Sequence, residues 1–189
     1  MDKPCPSSRD VERAVIGVMI NFPEETIGMV VRSGGADLFS AASYAVIYQA
    51  LEHLHEHGEP VEYLTLLDRL EKDNALAAAG GEATILAVMH EAFTDANIEK
   101  HIEMLREKAL LRKLITVMGA VRDRCFDHAA DSGIIMDFLR GRIQELREFE
   151  DRKGGTLTDQ VREWVLATQG TFLTTDVHRE LQLTTSSTT

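Results

Sequence analysis

The chain has 189 residues, of which 44% are hydrophobic and 27% are charged, with only 4 prolines. This composition is typical of a folded globular protein and excludes collagen-like, low-complexity and disordered chains. No stretch approaches the ~20 apolar residues of a membrane-spanning helix, and the first eight residues lack the apolar run of a signal peptide. We therefore expect a cytoplasmic protein that has no membrane association.

The net charge of −11 is unevenly distributed along the chain. Residues 1–99 carry 6 basic and 17 acidic side chains, residues 100–147 carry 10 and 7, and residues 148–189 carry 4 and 7. Binding to nucleic acid depends on Lys and Arg displacing counterions from phosphates, which an acidic protein does poorly. We expect DNA to be bound only weakly, or through C-terminal parts that this chain lacks.

The first 96 residues show the apolar spacing of five short helices. Ser7 followed by Asp10 resembles a capping box for the first helix, which should end near Asn21. Ser40 is the expected N-cap of the third helix, and Gly58 should close it. The second, fourth and fifth helices are predicted at 24–32, 65–73 and 82–92. Because strand patterns are nearly absent, the sequence predicts an all-α fold with a globular head over residues 7–96.

Residues 97–148 have a different character. Asn97 should cap a helix that continues to about Phe126, roughly thirty residues and ~45 Å long. A turn then leads into a second helix that starts near Ile134, so the two should form a long antiparallel hairpin. Gly119 and Gly141 lie inside these helices and suggest close helix approach, since glycine costs about 1 kcal/mol in a helix interior.

The predicted hairpin has apolar residues on more than one side, which leaves a hydrophobic surface without a partner in one chain. A second copy of the chain is the expected partner, as a homodimer or a higher oligomer. The side chains expected at this oligomer interface are Leu110, Leu114, Ile115, Met118, Ile134, Ile135, Phe138 and Leu139.

The C-terminal part is predicted to be a separate appendage. Together the head and the hairpin form one predicted domain over residues 7–150, and residues 151–156 read as a linker. Residues 157–189 show two short helices joined through a Gly-containing turn, as at the start of a helix-turn-helix or winged-helix domain. The third, base-reading helix of such domains is missing.

No arrangement of side chains in the sequence indicates catalysis, a cofactor or a metal. The phosphate-binding pattern GxxxxGK[ST] has no match, so no ATP-driven motor is expected in this chain. His53 and His57 are four residues apart, but no third metal ligand follows them at a suitable spacing. Cys5 and Cys125 lack partner ligands and are predicted to be free thiols. We therefore predict a protein that is not an enzyme.

Four segments share the order and spacing of a known family. They are VERAVIGVMI at 11–20, GEPVEYLTL at 58–66, Leu76 followed by Gly80-Gly81, and DANI at 95–98 leading into the helix through Ile115. Over about three quarters of the chain, this order resembles the N-terminal domain of DnaB-type replicative DNA helicases. The resemblance implies a non-catalytic collar module, whose hairpins dimerise and whose surface docks primase or a helicase loader.

The chain also departs from that family. Its members continue through a linker into a RecA-like ATPase, whereas here a helix-turn-helix-like start follows and no Walker motif exists. Helicase activity is therefore not expected of this chain. Two hypotheses follow: an oligomerisation and docking module in DNA replication or, alternatively, a DNA-binding regulator or mobile-element replication initiator in which the helical domain dimerises a winged helix.

Overall fold

A computed structural model describes residues 5–91, 96–127 and 130–152 of the chain. The chain divides into two units, Met1–Gly154 and Gly155–Thr189, and all described residues belong to the first. The predicted helix-turn-helix-like segment of residues 157–189 lies outside the described residues, as does most of the predicted linker. The domain boundaries therefore stay predictions.

The described residues form seven α-helices and one 3₁₀ helix, and they contain no strand. This confirms the predicted all-α fold. In chain order the elements are α1 (Arg9–Asn21), α2 (Pro23–Ser33), the 3₁₀ helix (Gly35–Leu38), α3 (Ala42–Glu56), α4 (Tyr63–Lys72), α5 (Glu82–Glu91), α6 (Ile98–Cys125) and α7 (Ser132–Asp151).

Helix α1 lies at the centre of the head and contacts α2, α3, α5 and α6. Every residue from Val15 to Ile20 is buried, because the helix has neighbours on nearly all sides. Around it, α3 contributes Ile47, Tyr48 and Leu51 to the core, all of them fully buried. The head is thus a bundle built on one apolar helix.

Two predicted caps are wrong. Ser8 rather than Ser7 precedes α1, and it makes no side-chain capping bond. Ala41 rather than Ser40 is the N-cap of α3. The start of α3 is held instead by the fully buried Glu12 of α1, whose carboxylate accepts hydrogen bonds from the Ser40 hydroxyl and from the Ala41 amide, the latter at 3.0 Å.

The predicted hairpin is present: α6 begins after its predicted N-cap, Asn97, and ends one residue before the predicted Phe126. Asp131 caps α7, because its carboxylate accepts from the amides of Gly133 at 2.8 Å and Ile134 at 3.1 Å. Near the base of the hairpin, Arg106 donates to the Glu150 carbonyl at 2.6 Å. Pairing of the start of α6 with the end of α7 makes the two helices antiparallel.

Apolar packing and hydrogen bonds join the base of the hairpin to the head. One side of α6 is buried there through Ile98, Ile102, Leu105 and Ala109, and it contacts α1, α2 and the 3₁₀ helix. The Arg112 guanidinium donates to the carbonyls of Pro6, Asp37 and Leu38 at 3.0, 2.7 and 3.0 Å. Phe149 of α7 is buried so closely on Gly34 that a Cβ there would lie 2.8 Å from its ring.

The two helical glycines of the hairpin do not mark close helix packing within the chain. A Cβ added at Gly119 or Gly141 would meet no atom within 4 Å. The prediction of close approach at these positions is therefore wrong for the single chain. None of the described helices has the length and apolar content needed to cross a membrane.

Candidate protein-interaction site

Helix α6 has two apolar faces on opposite sides. The face formed by residues 98, 102, 105 and 109 is buried on the head. At 100° per residue, a second set of apolar residues lies about half a turn away from it. This second set, which we call the outer stripe, is between 36% and 57% exposed and consists of Met104, Leu111, Leu114, Ile115 and Met118.

Apolar side chains are also exposed on α7 and at the tip of the hairpin. Ile134, Met136 and Ile143 of α7 and Phe126 beyond the end of α6 are all exposed to solvent. Single exposed apolar residues are normal on protein surfaces, but a row of them along one helix marks an interaction site. The exposed apolar side chains make the hairpin the candidate interaction surface of the described residues.

The eight residues predicted at the oligomer interface divide into two groups. Four of them are exposed on the hairpin: Leu114, Ile115, Met118 and Ile134. The other four are partly buried within the chain: Leu110, Ile135, Phe138 and Leu139.

Phe138 is covered by its own chain. Its ring centroid lies 3.8 Å from the Arg124 guanidinium and 5.4 Å from that of Arg142. The structure therefore brings Leu114, Ile115 and Met118 onto one surface and places Leu110 and Phe138 elsewhere.

Sequence reasoning missed other exposed members of the surface. Met104 and Leu111 belong to the outer stripe, and Met136 and Ile143 are exposed on α7. A helical projection of α6 would have found the first two, because residues 104, 111, 115 and 118 share one side of an ideal helix. The prediction instead grouped apolar residues by their position along the chain.

Two ion pairs on the surface of the hairpin are exposed to solvent. Arg140 and Asp137 are joined at 2.7 Å and Arg122 and Asp123 at 2.8 Å, with both side chains of each pair exposed. Such exposed pairs contribute little to stability, typically less than about 1 kcal/mol.

Titratable side chains of the head are held by ring stacking and hydrogen bonds within the head. The rings of His53 and His57 stack with centroids 3.9 Å apart, and the Nδ1 of His57 lies 2.8 Å from the His53 carbonyl. A hydrogen bond from the Tyr63 hydroxyl to Glu82 raises the pKa of Tyr63 to about 12.

In the described ranges, no three His, Cys, Asp or Glu side chains are grouped as a metal ion would need. Cys5 and Cys125 are exposed free thiols, as predicted.

A globular helical head carrying a long hairpin defines an all-α module without a motor motif. The family model for the DnaB-like helicase N terminal domain matches residues 5–107, more than half of the chain. The chain therefore belongs to the DnaB-like helicase N-terminal domain family, as its sequence resemblance predicts. The matched domain is the non-catalytic N-terminal module of a DNA replication protein.

Solved structures support the same fold. The crystal structure of the N-terminal domain of DnaB helicase from Mycobacterium tuberculosis aligns with a TM-score of 0.69 and 24% identity. It covers 75% of this chain and 99% of that one, so the match extends beyond the head into the hairpin. A structure described as a DnaB-like replicative helicase and its interactions with primase aligns with a TM-score of 0.56 and 17% identity, over 91% of this chain and 39% of that chain.

Curated relatives are much longer than this chain. The replicative DNA helicase DnaB of Rhodothermus marinus is 28% identical over 156 residues, which are 82% of this chain and 16% of that protein. The chain thus spans about a sixth of that relative. The matches favour the replication module over the alternative of a DNA-binding regulator.

Proposed function

We propose that this chain is the oligomerisation and protein-docking module of a DnaB-like DNA replication protein acting in the cytoplasm. Two copies associate through the outer stripe of their hairpins and through the exposed apolar residues of α7. Larger rings form when such dimers associate further. The assembled collar presents a docking surface to primase or to a helicase loader.

One observation carries this proposal: α6 is apolar on both of its sides, and the head covers only one of them. Each fully buried Leu, Ile or Met side chain stabilises an interface by about 1.5–3 kcal/mol. Five such residues lie along one side of α6 and are available for association. A helix that needed only its own head would have polar residues on the opposite side.

The docking function is supported by the family and by the related structure whose description includes interactions with primase. The absence of a phosphate-binding motif from the 189 residues fits a chain whose role is binding rather than catalysis. We propose that the docked partner is primase or a helicase loader.

Sedimentation velocity over a range of concentrations tests the proposed association. We expect the wild-type chain to shift from monomer to dimer as its concentration rises. The double variant Ile115→Glu, Met118→Glu should remain monomeric, because two charges at an apolar interface lose their hydration without finding partners.

Leu64→Glu is the matched control. Leu64 of α4 is 68% exposed on the head, so it tests the effect of a new surface charge away from the hairpin. This variant should dimerise like the wild type. A wild-type chain that stays monomeric throughout, or equal weakening by both sets of changes, contradicts the proposal.

A further inference from the structure

The hairpin has a glycine in the interior of each of its two helices. Gly119 lies in α6 and Gly141 lies in α7, each more than one turn from either end of its helix. Glycine weakens a helix interior, because it loses more backbone entropy on folding than any other residue. A Cβ at either position would meet no atom within 4 Å, so packing inside the chain does not require glycine there.

The two glycines lie at the same level of the hairpin. Near the base, Arg106 of α6 donates to the Glu150 carbonyl of α7, and near the tip the Arg124 guanidinium lies over the Phe138 ring. From the first contact to the second there are 18 residues along α6 and 12 along α7, and the glycines are 13 and 9 residues from the first. Both glycines are thus about three quarters of the way from the base contact to the tip contact.

The part of the hairpin beyond this level is exposed. We call residues 120–127 and 130–140 the tip segment, and none of these described residues is buried. Exposed ion pairs such as that of Arg140 with Asp137 lie within one helix, so they do not join α6 to α7. At the base, by contrast, α6 is buried on the head. Because few buried contacts mean low local stability, the tip segment is held less firmly than the base.

A cleft next to the two glycines leaves room for movement. It has a volume of about 540 Å³ and lies between the head and the hairpin. Asp37 and Phe39 line it on the head, and Ala120 and Arg142, which directly follow the two glycines, line it on the hairpin. A tip segment that moved toward the head would therefore enter open space.

We propose that the hairpin bends at Gly119 and Gly141, so that the tip segment changes its angle to the base. Glycine is among the residues at which helices bend sharply, and a hinge needs only a few residues that absorb the change in backbone angles. Two glycines at one level let both helices bend together. The outer stripe ends at Met118, on the base side of the bend, so the bend does not depend on self-association through that stripe.

Double electron–electron resonance tests the bend on the full chain through its two native cysteines. Cys5 is exposed next to Pro6, whose carbonyl accepts a hydrogen bond from Arg112 of α6, and Cys125 is exposed at the end of α6. Each cysteine carries a nitroxide label, and the labelled chain is diluted into excess unlabelled chain so that only distances within one chain are measured. We expect a broad distance distribution for the wild type.

The double variant Gly119→Ala, Gly141→Ala should give a narrow distribution. Each replacement should lower the bent population about fivefold, which is the factor that corresponds to the helix preference of alanine over glycine, about 1 kcal/mol. In hydrogen exchange, the amides of the turns around residues 119 and 141 should exchange more slowly in the double variant. A wild-type distribution as narrow as that of the double variant overturns the proposal.

Two controls separate the bend from other motions. Gly28→Ala changes an interior glycine of α2 in the head and should leave the distribution unchanged. With the second label moved to Thr116→Cys in a Cys125→Ser chain, both labels lie on the base side of the bend, and the wild-type distribution should be narrow. Equal narrowing by Gly28→Ala, or an equally broad distribution from position 116, contradicts a bend at the two glycines.

Sedimentation of the double alanine variant separates the bend from the proposed self-association. The variant should dimerise like the wild type, because neither glycine belongs to the outer stripe. If it fails to dimerise, a second copy of the chain packs on the glycines and the bend is wrong. A wild-type chain that bends but stays monomeric would contradict the oligomerisation module and leave the bend standing.

Discussion

Glu12 shows how a single buried residue organises the head. It is a carboxylate with no exposed surface, held by the Ser40 hydroxyl and the Ala41 amide at the start of α3. Buried carboxylates destabilise a fold unless hydrogen bonds replace the lost hydration. Here those bonds also link α1 to α3, so one side chain fixes the relative position of two core helices.

Replacing Glu12 by alanine should lower the free energy of unfolding by about 1–3 kcal/mol, because the Ala41 amide and the Ser40 hydroxyl lose their acceptor. Urea denaturation at fixed protein concentration measures the effect. The control Glu103→Ala changes an exposed carboxylate of α6 and should alter stability by less than about 0.5 kcal/mol. Equal stability of the two variants would refute the structural role of Glu12.

At Gly141, a substitution is expected to raise the free energy of unfolding. It is exposed within α7, and a Cβ at this position would meet no atom within 4 Å. Gly141→Ala should therefore raise the free energy of unfolding by about 0.5–1 kcal/mol, since alanine loses less backbone entropy in a helix. Thermal and urea unfolding check this value. A destabilised variant would mean that another surface packs on Gly141.

At the level of single helices, the attachment of the hairpin to the head depends on the last turns of α7. Phe149 is buried on Gly34 at the head, and the Lys113 ammonium lies 4.8 Å from the centroid of its ring. The rest of α7 is largely exposed or only partly buried. This one aromatic ring therefore anchors the returning helix to the head.

Phe149→Ala should destabilise the chain by about 3 kcal/mol or more, because it removes a large buried ring and leaves a cavity. In hydrogen exchange, the amides in the last turns of α7 should lose protection, while those of α4 should not. Phe126→Ala removes the same ring from an exposed position beyond α6 and should change neither stability nor exchange. Unchanged protection of α7 in Phe149→Ala would rule out the anchoring role.

The limits of a helix are predictable where its apolar pattern covers many residues and where its stabilising cap is a neighbouring residue in the sequence. Helix α6 was located almost to the residue because its apolar pattern continues over 28 residues. The predicted start of α3 is wrong by one residue, because its stabilising acceptor, Glu12, lies 29 residues before Ala41 and no local pattern reveals it.

The candidate site was only partly predictable for a related reason. Sequence periodicity shows that α6 is apolar on both sides, but it does not say which side the head covers. Leu114, Ile115 and Met118 were predicted on the surface that the structure exposes, while Met104 and Leu111 were missed. Phe138 was assigned to the interface because its cover consists of arginine side chains, which a hydrophobicity pattern does not count.

At the scale of the whole molecule, the described unit leaves one large apolar surface uncovered. The head buries its core and the base of the hairpin, while the outer stripe runs along the far side of α6. Soluble monomers rarely expose contiguous apolar surface of this kind. The chain belongs to the DnaB-like helicase N-terminal domain family, and the role that we propose for this surface is self-association.

Site-specific photo-crosslinking measures most directly where two copies meet. With p-benzoylphenylalanine in place of Ile115, which is 57% exposed, irradiation should yield covalent dimers of the chain in proportion to its self-association. The same probe in place of Leu64 on the head should yield none. Absence of crosslinked dimers from position 115, or equal yields from the two positions, would contradict association through the outer stripe.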